Sequence, residues 1–297
     1  MPGWDDIMTE INQDPFHAVR KKQINRLFEL TNRNIICYYS AFLTKKGDGM
    51  SIDDSDIVGF MSSIKEMEDK TVGLDLVLHT PGGNPTATEA IVNYLRSIFG
   101  TDIRVIVPQI AMSAGTMVAC AGKEIVMGKQ SSLGPIDPQI GGTAALNIKK
   151  VFDDAKSDLA EHPENAPYWQ MQFRHYPPAL IYDCINAINL SSELVTGWLS
   201  TAMFLEDSNR SECIKGIVSY LNQNEDSKIH SRHFDIEKCK SFGLKIVALE
   251  DDHEFQDAVL SVHHAYMALL ANTPVVKIIE NQFAKSYMVN QNPPPIN

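Results

Sequence analysis

Residues 74–83, LDLVLHTPGG, decide the fold class of this 297-residue chain. LDLVL is a short, mostly apolar run with the length and composition of a buried strand. It leads at once into HTPGG, in which a proline and two glycines mark a sharp turn. Residues 85 to 98 follow with a helical pattern. A buried strand that passes through a turn into a helix is the first half of a βαβ unit.

The same order of elements is predicted on both sides of this stretch. Strands that alternate with helices at these lengths need crossover connections, so we expect an α/β fold with a mostly parallel sheet. The predicted elements are a helix over 16–32, a strand over 35–39, a helix within 51–67, a strand over 103–107, a small-residue helix over 113–122 and a strand over 124–127.

The chain beyond residue 143 has a less regular pattern, with several predicted helices and one short strand over 244–247. A segment rich in proline and aromatic residues, 160–178, is interpreted as a lid or an interface. Three prolines near the C-terminus cannot join a helix or a sheet ladder. We therefore divide the chain into an N-terminal helical segment (1–33), a main domain (34–250), a C-terminal helix (251–287) and a disordered tail (288–297).

Composition excludes several classes of function. The chain has 26 Lys and Arg against 37 Asp and Glu, a net charge of −11, and no run of Lys and Arg long enough to form a basic stripe, which argues against a nucleic-acid partner. Its five cysteines lack C-x-x-C spacing, so neither a zinc site nor a disulfide framework is indicated. The N-terminus has no signal-peptide pattern, and no run approaches the roughly 20 apolar residues of a membrane span. We expect a cytoplasmic protein that needs no metal or cofactor.

Three turns carry candidate site residues, because α/β folds place their sites at the ends of strands. In the first turn, Gly82 and Gly83 can leave backbone N–H groups unpaired and available to an oxyanion. The second turn, AMSAGT, places Ser113 at the start of a small-residue helix. There its hydroxyl can act as a nucleophile while the Ala114 N–H faces the developing negative charge.

Each of these turns also has a purely structural interpretation. A Pro-Gly-Gly sequence is a common turn, and a serine at a helix start is a common N-cap. In the third turn, LGPIDPQ, Asp137 can orient a histidine, although an aspartate before proline is equally a turn former.

The motifs HTPGG, AMSAGT and LGPIDPQ, with the pair Ala121-Gly122, together resemble the serine dehydrogenase proteinase family. This family is related to the Clp protease proteolytic subunit and to signal peptide peptidase A. The resemblance is clearest over residues 34–142 and continues faintly to about residue 250. It implies a Clp/crotonase-like fold of stacked ββα units with a mostly parallel sheet and C-terminal helices.

The resemblance also implies a serine endopeptidase that acts on peptides or proteins and assembles as a homo-oligomer. By motif match, Ser113 is the nucleophile, and Gly82, Gly83 and Ala114 line the oxyanion hole. Two alternatives are a catalytically inactive Clp-like scaffold or binding protein, and an acyl-CoA enzyme of the related crotonase type.

The general base is where this chain departs from the Clp subunit. That subunit has a histidine in the motif I-H-Q-P-x-G-G, whereas this chain has Asp137 at the same place. A carboxylate with a pKa of about 4 is a poor acceptor for a serine proton. An exchange of acid and base would make His230 the base and Asp137 the residue that orients it.

Two other bases stay open at this point. His79 lies at the end of the strand that feeds the Gly-Gly turn. A lysine is the third candidate, because signal peptide peptidase A uses a Ser-Lys dyad and a desolvated ammonium can lose its proton. Lys149, Lys150 and Lys156 follow the LGPIDPQ segment, at a spacing that also fits a solvated helix face.

Overall fold

The structure, a computed structural model, describes Trp4, Ile7, Met8 and residues 16–222 and 230–291. Helices and strands alternate through the first half of these ranges, as predicted, and helices dominate the middle. The described helices are α1 (Phe16–Thr31), α2 (Asp56–Lys65), α3 (Pro85–Phe99), α4 (Ala114–Cys120), α5 (Ala145–Glu161), α6 (Ala166–Phe173), α7 (Leu180–Thr201), α8 (Arg210–Asn222), α9 (Ile236–Ser241) and α10 (His253–Asn272). The described strands are β1 (Asn34–Ser40), β2 (Leu74–His79), β3 (Ile103–Val107), β4 (Ile110–Ala111), β5 (Glu124–Met127), β6 (Ser132–Leu133), β7 (Gln139–Ile140), β8 (Thr143–Ala144), β9 (Ile246–Ala248), β10 (Val275–Asn281) and β11 (Ser286–Asn290).

Seven of the described strands form one sheet in the order β11-β10-β1-β2-β3-β5-β9. The five strands β1, β2, β3, β5 and β9 run parallel to one another. β10 is antiparallel to both β1 and β11. The predicted α/β class with a mostly parallel sheet is therefore confirmed.

Both faces of the inner strands β1, β2, β3 and β5 are largely buried, which explains why these strands are mostly apolar. Leu76 and Leu78 in β2 contact the core formed with helices α2, α3, α4, α7 and α8. Val77, between them, belongs to the opposite core, formed with α1 and α10. Alternate residues of one strand thus point to different helix layers.

The C-terminal segment differs from the prediction of one helix over 251–287. Helix α10 ends at Asn272, and β10 and β11 then return to the sheet beside β1. Lys277 and Glu280 interrupt the apolar pattern of β10, but both are buried because Asp56 and Arg20, respectively, pair with them. β11 takes in the first residues of the predicted tail, and residues 292–297 lie outside the described residues.

Helices α5, α6 and α7 make up the region 145–201 of the main domain. Helix α6 has no buried residue and contacts α5 through a stacked pair, Phe152 and Phe173, with ring centroids 4.4 Å apart. Helix α7, with 22 residues, contacts α4 and packs on α8. None of the helices in the described ranges combines the length and apolar character that crossing a bilayer requires.

Candidate active site

The Gly-Gly turn and the Ser113 turn meet at one point. β2 and β3 are parallel neighbours, so the chain leaves both strands at the same edge of the sheet. Beyond the strands the Thr80 N–H donates to the Ile110 carbonyl (3.1 Å) and the Met112 N–H donates to the Thr80 carbonyl (3.1 Å). A Cβ added to Gly82 would lie 2.8 Å from the Ser113 Cβ. Only a glycine permits this approach.

Ser113 has a strained backbone on a tight strand-to-helix turn. Its φ is 51° and its ψ is −117°, outside the regions that a non-glycine residue ordinarily adopts. Ser113 occupies the N-cap position of α4, yet its side chain makes no capping hydrogen bond. Ser113 therefore does not act as a capping serine, and its hydroxyl is available for other contacts.

Two backbone amides beside Ser113 are available to an oxyanion. Among the described residues, neither the Gly83 N–H nor the Ala114 N–H donates a hydrogen bond. The Gly82 N–H, in contrast, donates to the Thr80 Oγ1 at 3.2 Å. Gly82 thus provides the close approach, while Gly83 and Ala114 provide free donors.

Ile52 holds the Gly-Gly turn in this orientation. Its N–H donates to the Gly82 carbonyl (2.8 Å), and its carbonyl accepts from the Asn84 N–H (2.9 Å). A Cβ added to Gly83 would lie 2.2 Å from the Ile52 oxygen. The peptide between the two glycines is therefore fixed from the side opposite its free N–H group.

His230 and Asp137 form a hydrogen-bonded pair. His230 Nδ1 lies 2.7 Å from Asp137 Oδ1, and Asp137 is only 1% exposed. The Gln139 Nε2 donates to the other carboxylate oxygen at 2.8 Å. A neutral imidazole that donates from Nδ1 to this carboxylate keeps Nε2 as a proton acceptor. The pair thus has the chemistry of a base and the acid that orients it.

Ser113 and His230 line one cavity of about 320 Å³. Gly83 and Ala114 line it as well, and apolar side chains such as Met117 contribute much of the remaining wall. Among the described contacts, no hydrogen bond joins Ser113 to His230. Such bonds are commonly long in a free enzyme and shorten when substrate binds.

One protein family matches the part of the chain that contains most of these residues. Residues 36–163 match the family of ClpP-like SDH-type serine proteinases. The expected family resemblance is confirmed over this stretch, which contains both glycines, Ser113 and Asp137, whereas His230 lies beyond it.

Two uncharacterized proteins of Methanocaldococcus jannaschii are similar to this chain. One is 41% identical over 88 residues, which is 30% of this chain and 30% of the relative. The other is 36% identical over 103 residues, or 35% of this chain and 34% of the relative. The chain therefore spans about a third of the length of each relative, and neither name assigns an activity.

His79 lies on the face of the sheet opposite to Ser113. Like Val77, it points toward α10, where its ring centroid lies 4.8 Å from that of Phe42 and 5.4 Å from that of His263. It is fully buried there and does not line the cavity of Ser113. The alternative of His79 as the base is therefore not supported, because side chains alternate between faces along a strand.

Because His79 is buried, we expect the protein to lose stability in acid. Burial lowers the pKa of the His79 imidazole to about 4, from 6.5 for an exposed histidine. The unfolded chain binds a proton at His79 that the folded chain rejects, so stability falls as the pH drops from about 6.5 toward 4. Between pH 7 and pH 5 the loss amounts to about 2 kcal/mol in the free energy of unfolding.

The variant His79→Phe tests this assignment by urea unfolding at pH 7 and pH 5. Phenylalanine keeps an aromatic ring beside Tyr39 and Phe42, so we expect the variant to lose about 2 kcal/mol less than the wild type over this range. The exposed His175, changed to phenylalanine, is the matched control. Equal losses in His79→Phe and the wild type would contradict the assignment.

The three candidate lysines do not line the cavity of Ser113. They lie on α5, where the Lys149 Nζ is 2.5 Å from the Asp153 carboxylate one turn further on. The Ser-Lys alternative is therefore not supported by the geometry, and the spacing of these residues reflects an exposed helix face.

The sequence does not reveal the role of one site residue, Gln139, or the contact of a second serine with a histidine. Gln139 was part of the quoted LGPIDPQ motif, but its role depends on the position of Asp137, which only the fold reveals. Ser132 Oγ and His233 Nδ1 lie 2.7 Å apart, but neither residue lines the cavity of Ser113. Among the described residues, no group of three or more His, Cys, Asp or Glu is arranged to hold a metal ion.

Proposed function

We propose that this chain is a serine peptidase that hydrolyses peptide bonds through an acyl-enzyme at Ser113. The observation that carries the proposal is the contact between the two turns. It brings the Ser113 hydroxyl and the free N–H groups of Gly83 and Ala114 to one cavity. A peptide carbonyl in that cavity can meet a nucleophile and two oxyanion donors together.

His230 and Asp137 complete the proposed mechanism. As substrate binds, His230 Nε2 accepts the Ser113 proton while the hydroxyl oxygen attacks the carbonyl carbon. The buried Asp137 stabilises the imidazolium, which then protonates the leaving amine. Water then attacks the acyl group while His230 takes its proton. The imidazolium returns this proton to the Ser113 Oγ as the acid leaves, which regenerates the free enzyme.

The oxyanion hole supplies a large part of the expected rate acceleration. One correctly aimed donor contributes about 3 to 4 kcal/mol to transition-state stabilisation in a serine peptidase. Gly83 and Ala114 are backbone donors, so no side-chain rotation is needed to align them. The strained backbone of Ser113 keeps the N–H of Ala114 beside the Ser113 hydroxyl.

A fluorophosphonate probe tests the proposal directly. We expect labelling of the folded protein at Ser113, located by peptide mass spectrometry, and parallel hydrolysis of a fluorogenic peptide library. A folded protein that neither labels at Ser113 nor cleaves peptides would contradict the proposal and favour the inactive Clp-like scaffold. Turnover of acyl-CoA thioesters without peptide cleavage would favour the crotonase-type alternative.

His230→Ala is expected to slow labelling and peptide cleavage by at least about 10²-fold, because it removes the base. His233→Ala is the matched control, since His233 lies in the same segment and contacts Ser132 instead. We expect His233→Ala to retain near wild-type rates. Equal losses in both variants would argue that the segment, rather than the His230 imidazole, matters.

We further propose that the protein acts in the cytoplasm as a homo-oligomer on peptide or protein substrates. The α5–α7 region exposes large apolar side chains, among them Met171 (67% exposed) and Tyr182 (69% exposed), which supports an interface there. The net charge of −11 disfavours nucleic acid as a partner. Light scattering coupled to size-exclusion chromatography measures the assembly; a monomer at micromolar concentration would contradict this part of the proposal.

A further inference from the structure

Lys277 is a buried cation that the proposed mechanism does not use. It lies in β10, the antiparallel strand beside β1, and is 1% exposed. Its Nζ donates to the Ser51 carbonyl (2.8 Å) and to the carboxylates of Asp53 (3.0 Å) and Asp56 (2.6 Å). A desolvated ammonium is costly unless it is paired and hydrogen-bonded, and here all three of its protons have acceptors.

The contacts of Lys277 fall on both sides of Ile52. Ser51 precedes Ile52 and Asp53 follows it, and Lys277 binds both. Ile52 is the residue whose backbone N–H and carbonyl hold the Gly-Gly turn. Lys277 thus binds the residues on either side of Ile52, and Ile52 binds the Gly-Gly turn. The ammonium group therefore fixes the loop that holds the Gly83 amide.

Asp56 connects this loop to the sheet. One carboxylate oxygen accepts from Lys277, and the other accepts from the Tyr38 hydroxyl (2.8 Å) and the Asp53 N–H (3.2 Å). Asp56 and Tyr38 are both buried, and Tyr38 belongs to the central strand β1. The loop is therefore tied to two adjacent strands, β1 and β10, by charge-assisted hydrogen bonds.

Stability alone is a weak explanation for this arrangement. The desolvation of a buried ion pair offsets much of its attraction, and apolar residues of similar volume often replace such pairs without loss of stability. A buried polar network does, however, fix one geometry when all its members are satisfied. The geometry fixed here is that of the loop that holds Gly82 and Gly83.

We propose that Lys277 is a positioning residue that aims the Gly83 N–H into the oxyanion hole by holding the loop around Ile52. The proposal rests on the function proposed above for Ser113. In the free enzyme the loop holds the Gly-Gly peptide in the orientation that the transition state requires. The barrier then contains no cost for reorienting this donor.

Lys277→Met and the double variant Lys277→Met/Asp56→Asn test the proposal. The single variant leaves the Asp56 carboxylate buried without its cation, so loss of folding is a specific risk. The double variant removes both charges and avoids this risk. Lys285→Met is the matched control. Lys285 is 54% exposed, and its Nζ lies 4.0 Å from the carboxylate of Glu66, at the limit of an ion pair.

Amide hydrogen exchange gives a readout that does not depend on activity. We expect the Ile52 and Asn84 amides to exchange at least about tenfold faster in the folded Lys277 variants, because their hydrogen bonds depend on the loop. Lys285→Met is expected to leave both rates unchanged. Unchanged exchange in the double variant would overturn the proposal even if the wild-type protein proved inactive.

Kinetics distinguishes positioning from a general loss of structure. We expect kcat for peptide cleavage to fall about 10- to 100-fold, with KM changed less than about threefold, because the oxyanion forms only after binding. A folded variant with an unchanged kcat would overturn the proposal while leaving the role of Ser113 intact. If the wild type itself fails to cleave or to label, the proposed function fails, and exchange alone decides whether Lys277 holds the loop.

Discussion

Replacing Ser113 by alanine is expected to lower kcat for peptide cleavage by at least about 10³-fold. The loss is large because the proposed acyl-enzyme forms on the Ser113 hydroxyl, which lies on the turn that meets the Gly-Gly turn. The fold is expected to survive, since the Ser113 side chain makes no capping hydrogen bond. The free energy of unfolding should change by less than about 0.5 kcal/mol, as for substitutions without structural contacts.

Ser132→Ala is the control for this experiment. Ser132 also contacts a histidine, at 2.7 Å, but it lies outside the cavity of Ser113. Steady-state kinetics of both variants on one fluorogenic peptide separates the two serines. Full activity in Ser113→Ala together with loss of activity in Ser132→Ala would move the nucleophile to Ser132 and contradict the site proposed here.

Gly82→Ala is expected to reduce kcat by at least about 10²-fold and to destabilise the protein by roughly 2 to 4 kcal/mol. Gly82 has a φ of 96°, which already disfavours alanine. The added Cβ would also lie 2.5 Å from the Met112 carbonyl oxygen and 2.9 Å from the Ala114 nitrogen. The two turns must then separate, which moves the oxyanion donors apart.

Gly100→Ala separates the clash from the backbone strain. Gly100 also has a positive φ, 62°, but an added Cβ there meets no atom within 4 Å. We therefore expect a loss of about 1 kcal/mol from strain and no change in kcat. Urea unfolding and peptide cleavage of both variants give the comparison. Similar kcat values for Gly82→Ala and Gly100→Ala would argue against a site at the junction of the turns.

The sequence predicts that the two turns are neighbours, whereas their contact at Gly82 and Ser113 is seen only in the structure. LDLVL and the next apolar run predict parallel neighbouring strands, and the ends of such strands lie at one edge of the sheet. The alternation of side chains along this strand also argues against His79 as the base that activates Ser113. Val77 and His79 are two residues apart on one strand, so both point away from the face on which Leu76 and Leu78 pack.

The role of the C-terminal residues could not be predicted in the same way. β10 contains Lys277 and Glu280, which lower its apolar character, and each is buried only because a partner distant in sequence neutralises it. A single sequence does not reveal those partners. Lys277 is 221 residues from Asp56 along the chain, so its link to the Gly-Gly turn appears only in the folded structure.

The pair of His230 and Asp137 lies between these two cases. Family resemblance suggested that acid and base exchange places, and the two side chains do lie 2.7 Å apart although 93 residues separate them. The residue types indicated the chemistry, but Gln139 and the burial of Asp137 depend on how the LGPIDPQ turn folds. The catalytic role of His230 stays a prediction that the His230→Ala and His233→Ala comparison tests.

The most direct test of the central claim is a crystal structure of the protein after reaction with a fluorophosphonate. The phosphonyl oxygen then stands in for the oxyanion of the tetrahedral intermediate. We expect a covalent bond to the Ser113 Oγ, with the phosphonyl oxygen about 3 Å from the nitrogens of both Gly83 and Ala114. An adduct on another serine, or a Ser113 adduct whose oxygen points away from both amides, would contradict the central claim.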